Sequence, residues 1–129
     1  MKIVLVEDEL LAIEKLERYL MKYNEEITIV QKLSSVLESV KWFKKNTDFD
    51  VVFMDVQLTD GLSFDIFNQT KINKPVIFTT AFDEYAIDAF KVNSIDYILK
   101  PITFTDVSKA LNKLKNMQTL LSVDSGIKK

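Results

Sequence analysis

The sequence predicts a doubly wound α/β domain built on a five-stranded parallel sheet. Two observations carry this. Short apolar runs rich in Val, Ile and Phe recur along the chain, and segments whose apolar residues fall three or four apart lie between them. The runs are continuous rather than alternating, as in strands covered on both faces, and the alternation of strand and helix makes the crossovers parallel and right-handed.

The first strand is Ile3 to Val6, followed by helical spacing at Ile13, Leu16, Leu20 and Tyr23. A weaker second strand covers Ile27 to Val30. Val51 to Met54, Val76 to Phe78 and Tyr97 to Leu99 supply the third, fourth and fifth, each too short for a helix. Phe104, Val107, Leu111 and Leu114 space a last helix. Thr103 and Asp106 form a capping-box pattern at its start, and Asp8 and Asp83 are candidate caps for the helices that follow them. After Met117 the periodicity fades, so residues 1–117 are expected to form one domain. Residues 118–129, with Ser122, Asp124, Ser125 and Gly126, read as a linker or frayed tail.

Composition narrows the chemistry. A chain of 129 residues, 47% hydrophobic and 28% charged, suits one self-sufficient domain and excludes a two-domain enzyme. Lys and Arg number 17 against 19 Asp and Glu, a net charge of −2 that argues against direct DNA binding by this chain. With no Cys and no His, disulfides, Cys/His zinc sites and Ser/His/Asp triads drop out, and any metal must be held by oxygen. The N-terminus turns acidic at Glu7 before a signal-peptide core could form, and no apolar run approaches the ~20 residues that span a bilayer. A cytoplasmic protein with no membrane partner is expected.

In open parallel sheets, functional groups gather at the carboxyl ends of the strands. Those ends carry Glu7 and Asp8 after the first strand, Asp55 after the third, Thr79 and Thr80 at the fourth, and Lys100 after the fifth. Taken singly, each has an ordinary explanation as a helix start, loop residue or strand end. Together, three carboxylates at one edge would repel one another unless a cation sat among them, and Mg²⁺ takes oxygen ligands from one or two carboxylates, waters and phosphate. An Asp beside such an ion can attack a phosphoryl group, with Lys100 and the Thr80 hydroxyl meeting the phosphoryl oxygens.

The stretches VLVEDE, VVFMD, FTTA and YILKP, in that order, resemble the receiver domain of bacterial two-component response regulators over residues 1 to about 117. The segment AFDEYAIDAFKVNSIDYILKP is further similar to receivers attached to LytTR-type (LytR/AlgR-like) DNA-binding domains. The resemblance implies a flavodoxin-like sheet of strand order 2-1-3-4-5. It implies that Asp55 accepts phosphate from a sensor histidine kinase, that Asp8 and Asp55 ligate Mg²⁺, that Glu7 acts through a water, and that the backbone carbonyl of Gln57 is the third protein ligand. Thr80 and Lys100 would contact the phosphate, and Tyr97 would change orientation with Thr80. Lys100-Pro101 would be a cis peptide.

Such a chain is no enzyme beyond its own phosphorylation and dephosphorylation. DNA would be reached only through an output domain outside this chain, which is expected to be cut at a linker. Phosphorylation would drive a homodimer through the face of the fourth helix, fifth strand and fifth helix, where Asp88, Lys91, Asp96 and Lys113 offer charges of both signs. Thr59 and Ser63 occupy positions where many receivers carry Pro and Gly, and Asp60-Gly61 predicts a different turn rather than a lost site. A haloacid-dehalogenase-like hydrolase would need its nucleophile after the first strand and a second Asp at position 57, which is Gln. A flavodoxin-like cofactor carrier would bring its anion against Glu7, Asp8 and Glu9. A receiver-shaped interaction module that is never phosphorylated is the remaining alternative.

Overall fold

The computed structural model describes residues 1–85, 88, 89, 92 and 94–127, with side chains as far as residue 120. Five parallel strands, β1 (Lys2–Val6), β2 (Thr28–Leu33), β3 (Val51–Asp55), β4 (Val76–Thr80) and β5 (Asp96–Leu99), form one sheet in the order β2-β1-β3-β4-β5. This is the expected order. Helices α1 (Leu10–Tyr23), α2 (Val36–Lys45) and α3 (Phe64–Gln69) follow β1, β2 and β3, and a C-terminal helix runs over Phe104–Ile127. The expected fourth helix, with Lys91, lies largely outside the described residues.

Strand periodicity divides the core in two. Ile3, Leu5, Val51, Phe53 and Ile77 face α1 and the C-terminal helix, where Leu16, Leu20, Val107, Leu111 and Leu114 meet them. Their neighbours Val4, Val6, Val52, Met54 and Phe78 face α2 and α3, packing with Val40, Phe43 and Ile66. Both sides of β1 and β3 are therefore dry, which is why these strands read as unbroken apolar runs. Phe53 and Phe78 are fully buried, each contributing ~1.5 to 3 kcal/mol by burial.

Four local expectations change. The edge strand β2 extends to Leu33 because it is buried only in part and needs no continuous apolar run. Asp8 does not cap α1: the cap position is Glu9, without a side-chain bond. Asp83 opens a 3₁₀ turn, Asp83–Tyr85. The helix expected to end near Met117 continues to Ile127, through a stretch that contains no Pro. The capping box at its start is reciprocal, Asp106 N–H to Thr103 Oγ1 at 3.1 Å and Thr103 N–H to Asp106 Oδ2 at 3.1 Å. No helix among the described residues is long and apolar enough to cross a membrane.

Candidate functional site

β1 and β3 are neighbours in the sheet, and the chain leaves them toward opposite faces, opening a crevice between their carboxyl ends. Val6 pairs with Met54, so the next residues, Glu7 and Asp55, stand side by side. Their backbones remain tied to the sheet. Glu7 N–H donates to the Leu33 carbonyl at 2.8 Å, Val56 N–H to Thr79 at 3.0 Å, and Lys100 N–H to Thr80 at 2.7 Å. Each polar group is thus held by the strand next to its own.

One ligand oxygen from each of Glu7, Asp8 and Asp55 lies within 4.8 Å of the others. Glu7 is 6% and Asp55 7% exposed, whereas Asp8 faces solvent. Lys100 spans the two buried carboxylates, its Nζ donating to Glu7 Oε1 at 2.8 Å and Asp55 Oδ2 at 3.1 Å. Glu7 Oε2 also accepts from the N–H groups of Asp8 and Glu9 at 3.1 and 3.3 Å. The Lys100-Pro101 bond is cis, as expected.

Burial is the largest influence on Glu7, and with the Asp55 charge it outweighs the Lys100 hydrogen bond and pushes the carboxyl up to about 7. A cleft of about 430 Å³ beside it is walled by Leu11, Ala12, Leu16, Ala81, Pro101 and Ile102, an apolar lining that keeps the local dielectric low. Burial alone would lower Lys100, but its bond to Glu7 and the Asp55 charge prevail and its pKa rises. The group is therefore an ammonium shared between two crowded carboxylates. This oxygen-only, carboxylate-rich donor set fits a hard divalent cation.

Thr80 is fully buried and its Oγ1 accepts the Phe82 N–H at 3.2 Å. The Tyr97 hydroxyl donates to the Phe82 carbonyl. Among the predicted site residues, Lys100 touches Glu7 and Asp55 directly, Asp8 lies beside them, and Thr80 and Tyr97 meet through Phe82, which sequence reasoning missed. The Asp60-Gly61 turn joins a two-residue antiparallel ribbon, Gln57–Leu58 with Gly61–Leu62. Gly61 has φ +145°, a conformation that favours glycine. At the ribbon's start Gln57 N–H lies 3.4 Å from Asp55 Oδ1, and its side chain donates to the Tyr85 hydroxyl at 3.1 Å.

Residues 3–112 match the family described as the response regulator receiver domain. The chain is 36% identical over 121 residues to the sensory transduction protein LytT of Bacillus anthracis, covering 92% of this chain and 48% of that protein. It is 35% identical over 117 residues to LytR of Staphylococcus epidermidis, covering 88% and 46%. The chain thus spans about half the length of these relatives. Among solved structures, the response regulatory domain of mrkE from Klebsiella pneumoniae superposes with a TM-score of 0.77 at 31% identity, covering 91% of this chain and 97% of that one. A response regulator receiver domain protein from Clostridium thermocellum gives 0.77 at 28%, covering 93% and 98%.

Proposed function

Because the chain belongs to the response regulator receiver domain family, we propose that Asp55 is the residue that takes its phosphoryl group. A carboxylate oxygen of Asp55 attacks the phosphorus of a phosphohistidine on a sensor kinase. A P–O bond forms, and the P–N bond breaks with its electron pair leaving on the imidazole nitrogen. The observation that carries this reading is the bridging position of Lys100, a mobile point charge already seated against the nucleophile.

Glu7, Asp8 and Asp55, with the Gln57 backbone carbonyl, would hold Mg²⁺, which when bound neutralises charge on the phosphoryl oxygens. Lys100 pairs with one phosphoryl oxygen as Asp55 loses its free carboxylate. The Thr80 oxygen already accepts the Phe82 N–H, leaving its O–H free to donate to another. That bond draws on Phe82, to which the Tyr97 hydroxyl is also tied, so charge at Asp55 reaches the packing of β5. The chain's catalysis is confined to gaining and losing this phosphoryl group.

In the same proposal, the reoriented β5 face pairs two copies of the domain and controls an output domain of the LytTR DNA-binding kind. Leu99 is an exposed apolar residue on that face, and Asp96 and Lys109 lie beside it. Exposed charges contribute only ~0 to 1 kcal/mol per pair, so they would set register while apolar contacts supply affinity. Support for the output domain is the half-length match to LytT and LytR. Phosphotransfer from a labelled histidine kinase tests the core of the reading: the label on wild type should be acid-labile, and Asp55→Asn should take none. Equal labelling of that variant would overturn it.

A further inference from the structure

We propose that Asp60 is a positioning residue for the site, fixing the backbone of Gln57 by anchoring the ribbon to the N-terminus of α2. The first N–H groups of a helix have no partner within it. In α2, Ser35 Oγ accepts the Glu38 N–H at 3.0 Å, the usual arrangement for a cap. The two preceding donors are taken by a residue far along the chain. Asp60 Oδ1 accepts the Val36 N–H at 2.7 Å and Oδ2 the Leu37 N–H at 3.0 Å. Both oxygens of one carboxylate are thus committed to two adjacent backbone donors, a two-point attachment that fixes orientation as well as distance.

What it orients is short and stiff. Between Asp55 and the start of α3, Val56 and Leu58 are buried, and Val56 bonds to Thr79 at one side and to Ser63 N–H, at 2.8 Å, on the other. Gln57 pairs with Leu62 and Leu58 with Gly61. The exposed parts of this unit are Gln57 and the turn, Thr59 and Asp60, with Gly61 following. Without the bonds to α2 the turn is tethered solely through its own ribbon, and a two-strand ribbon of this length has little stability of its own. Asp60 therefore closes the frame on the side away from the sheet. Groups that orient metal ligands from outside the ligand set commonly change metal affinity about 10- to 100-fold when removed.

The proposal rests on the reading in which the Gln57 carbonyl is a metal ligand, and its test separates the two. Amide exchange of Gln57, Leu58 and Leu62 in the metal-free protein is measured first, then Mg²⁺ affinity by NMR titration, for wild type, Asp60→Ala, Asp60→Asn and Ser35→Ala. Asp60→Ala should speed ribbon exchange and weaken Mg²⁺ binding about tenfold. Asp60→Asn loses the charge but keeps one acceptor oxygen, so it should retain most of the affinity. Ser35→Ala weakens the same helix end without touching the ribbon, and should lower the melting temperature while leaving Mg²⁺ affinity as in wild type. Unchanged ribbon exchange in Asp60→Ala overturns the proposal, as does an equal loss in the Asn variant, which would make the effect one of charge alone. Absence of Mg²⁺ binding in wild type would instead overturn the metal reading beneath it.

Discussion

Thr80 and Tyr97 hold opposite ends of the same residue: the Thr80 hydroxyl oxygen accepts the Phe82 N–H, and the Tyr97 hydroxyl donates to the Phe82 carbonyl. Two side chains on adjacent strands are thereby coupled without touching. A tyrosine hydroxyl keeps its proton at physiological pH, and burial raises the Tyr97 pKa further.

Tyr97→Phe removes that bond and nothing else of comparable size. Stability should fall by ~0.5 to 1.5 kcal/mol, read from urea unfolding. Phosphorylation at Asp55 should proceed and the Phe82 amide, bonded to Thr80, should still respond to beryllofluoride, but the amide shift of Leu99 should no longer do so. A full response in the variant would show that Thr80 and β5 communicate by another route.

The pH dependence follows from Glu7, whose carboxyl is raised from 4.5 to about 7, chiefly by burial. A carboxyl with a raised folded-state pKa binds its proton more tightly when folded. Its contribution is therefore full below about 4.5 and is lost as pH rises through about 7. Metal-free domain should lose stability across this window, and Mg²⁺, which competes with the proton, should raise the melting temperature more at about pH 8 than at about pH 6. Glu7→Gln should flatten the dependence. Melting curves at both pH values, with and without Mg²⁺, check the sign.

Lys100→Ala leaves Glu7 and Asp55 facing each other without their ammonium. The Lys100 bond and charge both hold the Glu7 carboxyl down, so Glu7 should keep its proton to higher pH in this variant, and carbonyl NMR titration should show it. Mg²⁺ affinity should rise, since a competing cation has gone, while the response of Phe82 to phosphorylation should disappear. An unaltered response would remove Lys100 from the phosphate contact.

Much of this arrangement is legible in the sequence because its causes are local. Val51 to Met54 reads as a strand since both its faces are buried, and Asp55 stands out as the charge that ends it. Thr103 and Asp106 show their capping box within four residues. The bonds of Asp60 are invisible for the opposite reason: their partners, Val36 and Leu37, lie more than twenty residues upstream and contribute only backbone N–H groups, which every residue type carries. Phe82 is hidden likewise, acting through its peptide. Glu9 rather than Asp8 stands at the α1 cap position, while the Glu7 carboxylate accepts the N–H groups of Asp8 and Glu9 just ahead of the helix, an arrangement that spacing does not reveal.

The reciprocal bonds of Thr103 and Asp106 support the helix that seats against α1. Thr103→Ala should cost about 1 kcal/mol with phosphorylation unaffected, measured by thermal unfolding alongside labelling. Loss of labelling in a folded variant would tie this helix start to the site.

Dimer formation through the β5 face is checked by sedimentation velocity with and without beryllofluoride. The expected outcome is a shift from monomer toward dimer only with the phosphoryl mimic. An unchanged monomer at high concentration would remove this interface from the isolated domain.

Phosphorylation at Asp55 is tested by intact-mass analysis after incubation with acetyl phosphate and Mg²⁺. Wild type should gain a single phosphoryl group, Asp55→Asn none, and wild type none when Mg²⁺ is chelated. A wild-type protein that gains no mass, or an Asp55→Asn variant that gains the same mass, would contradict it.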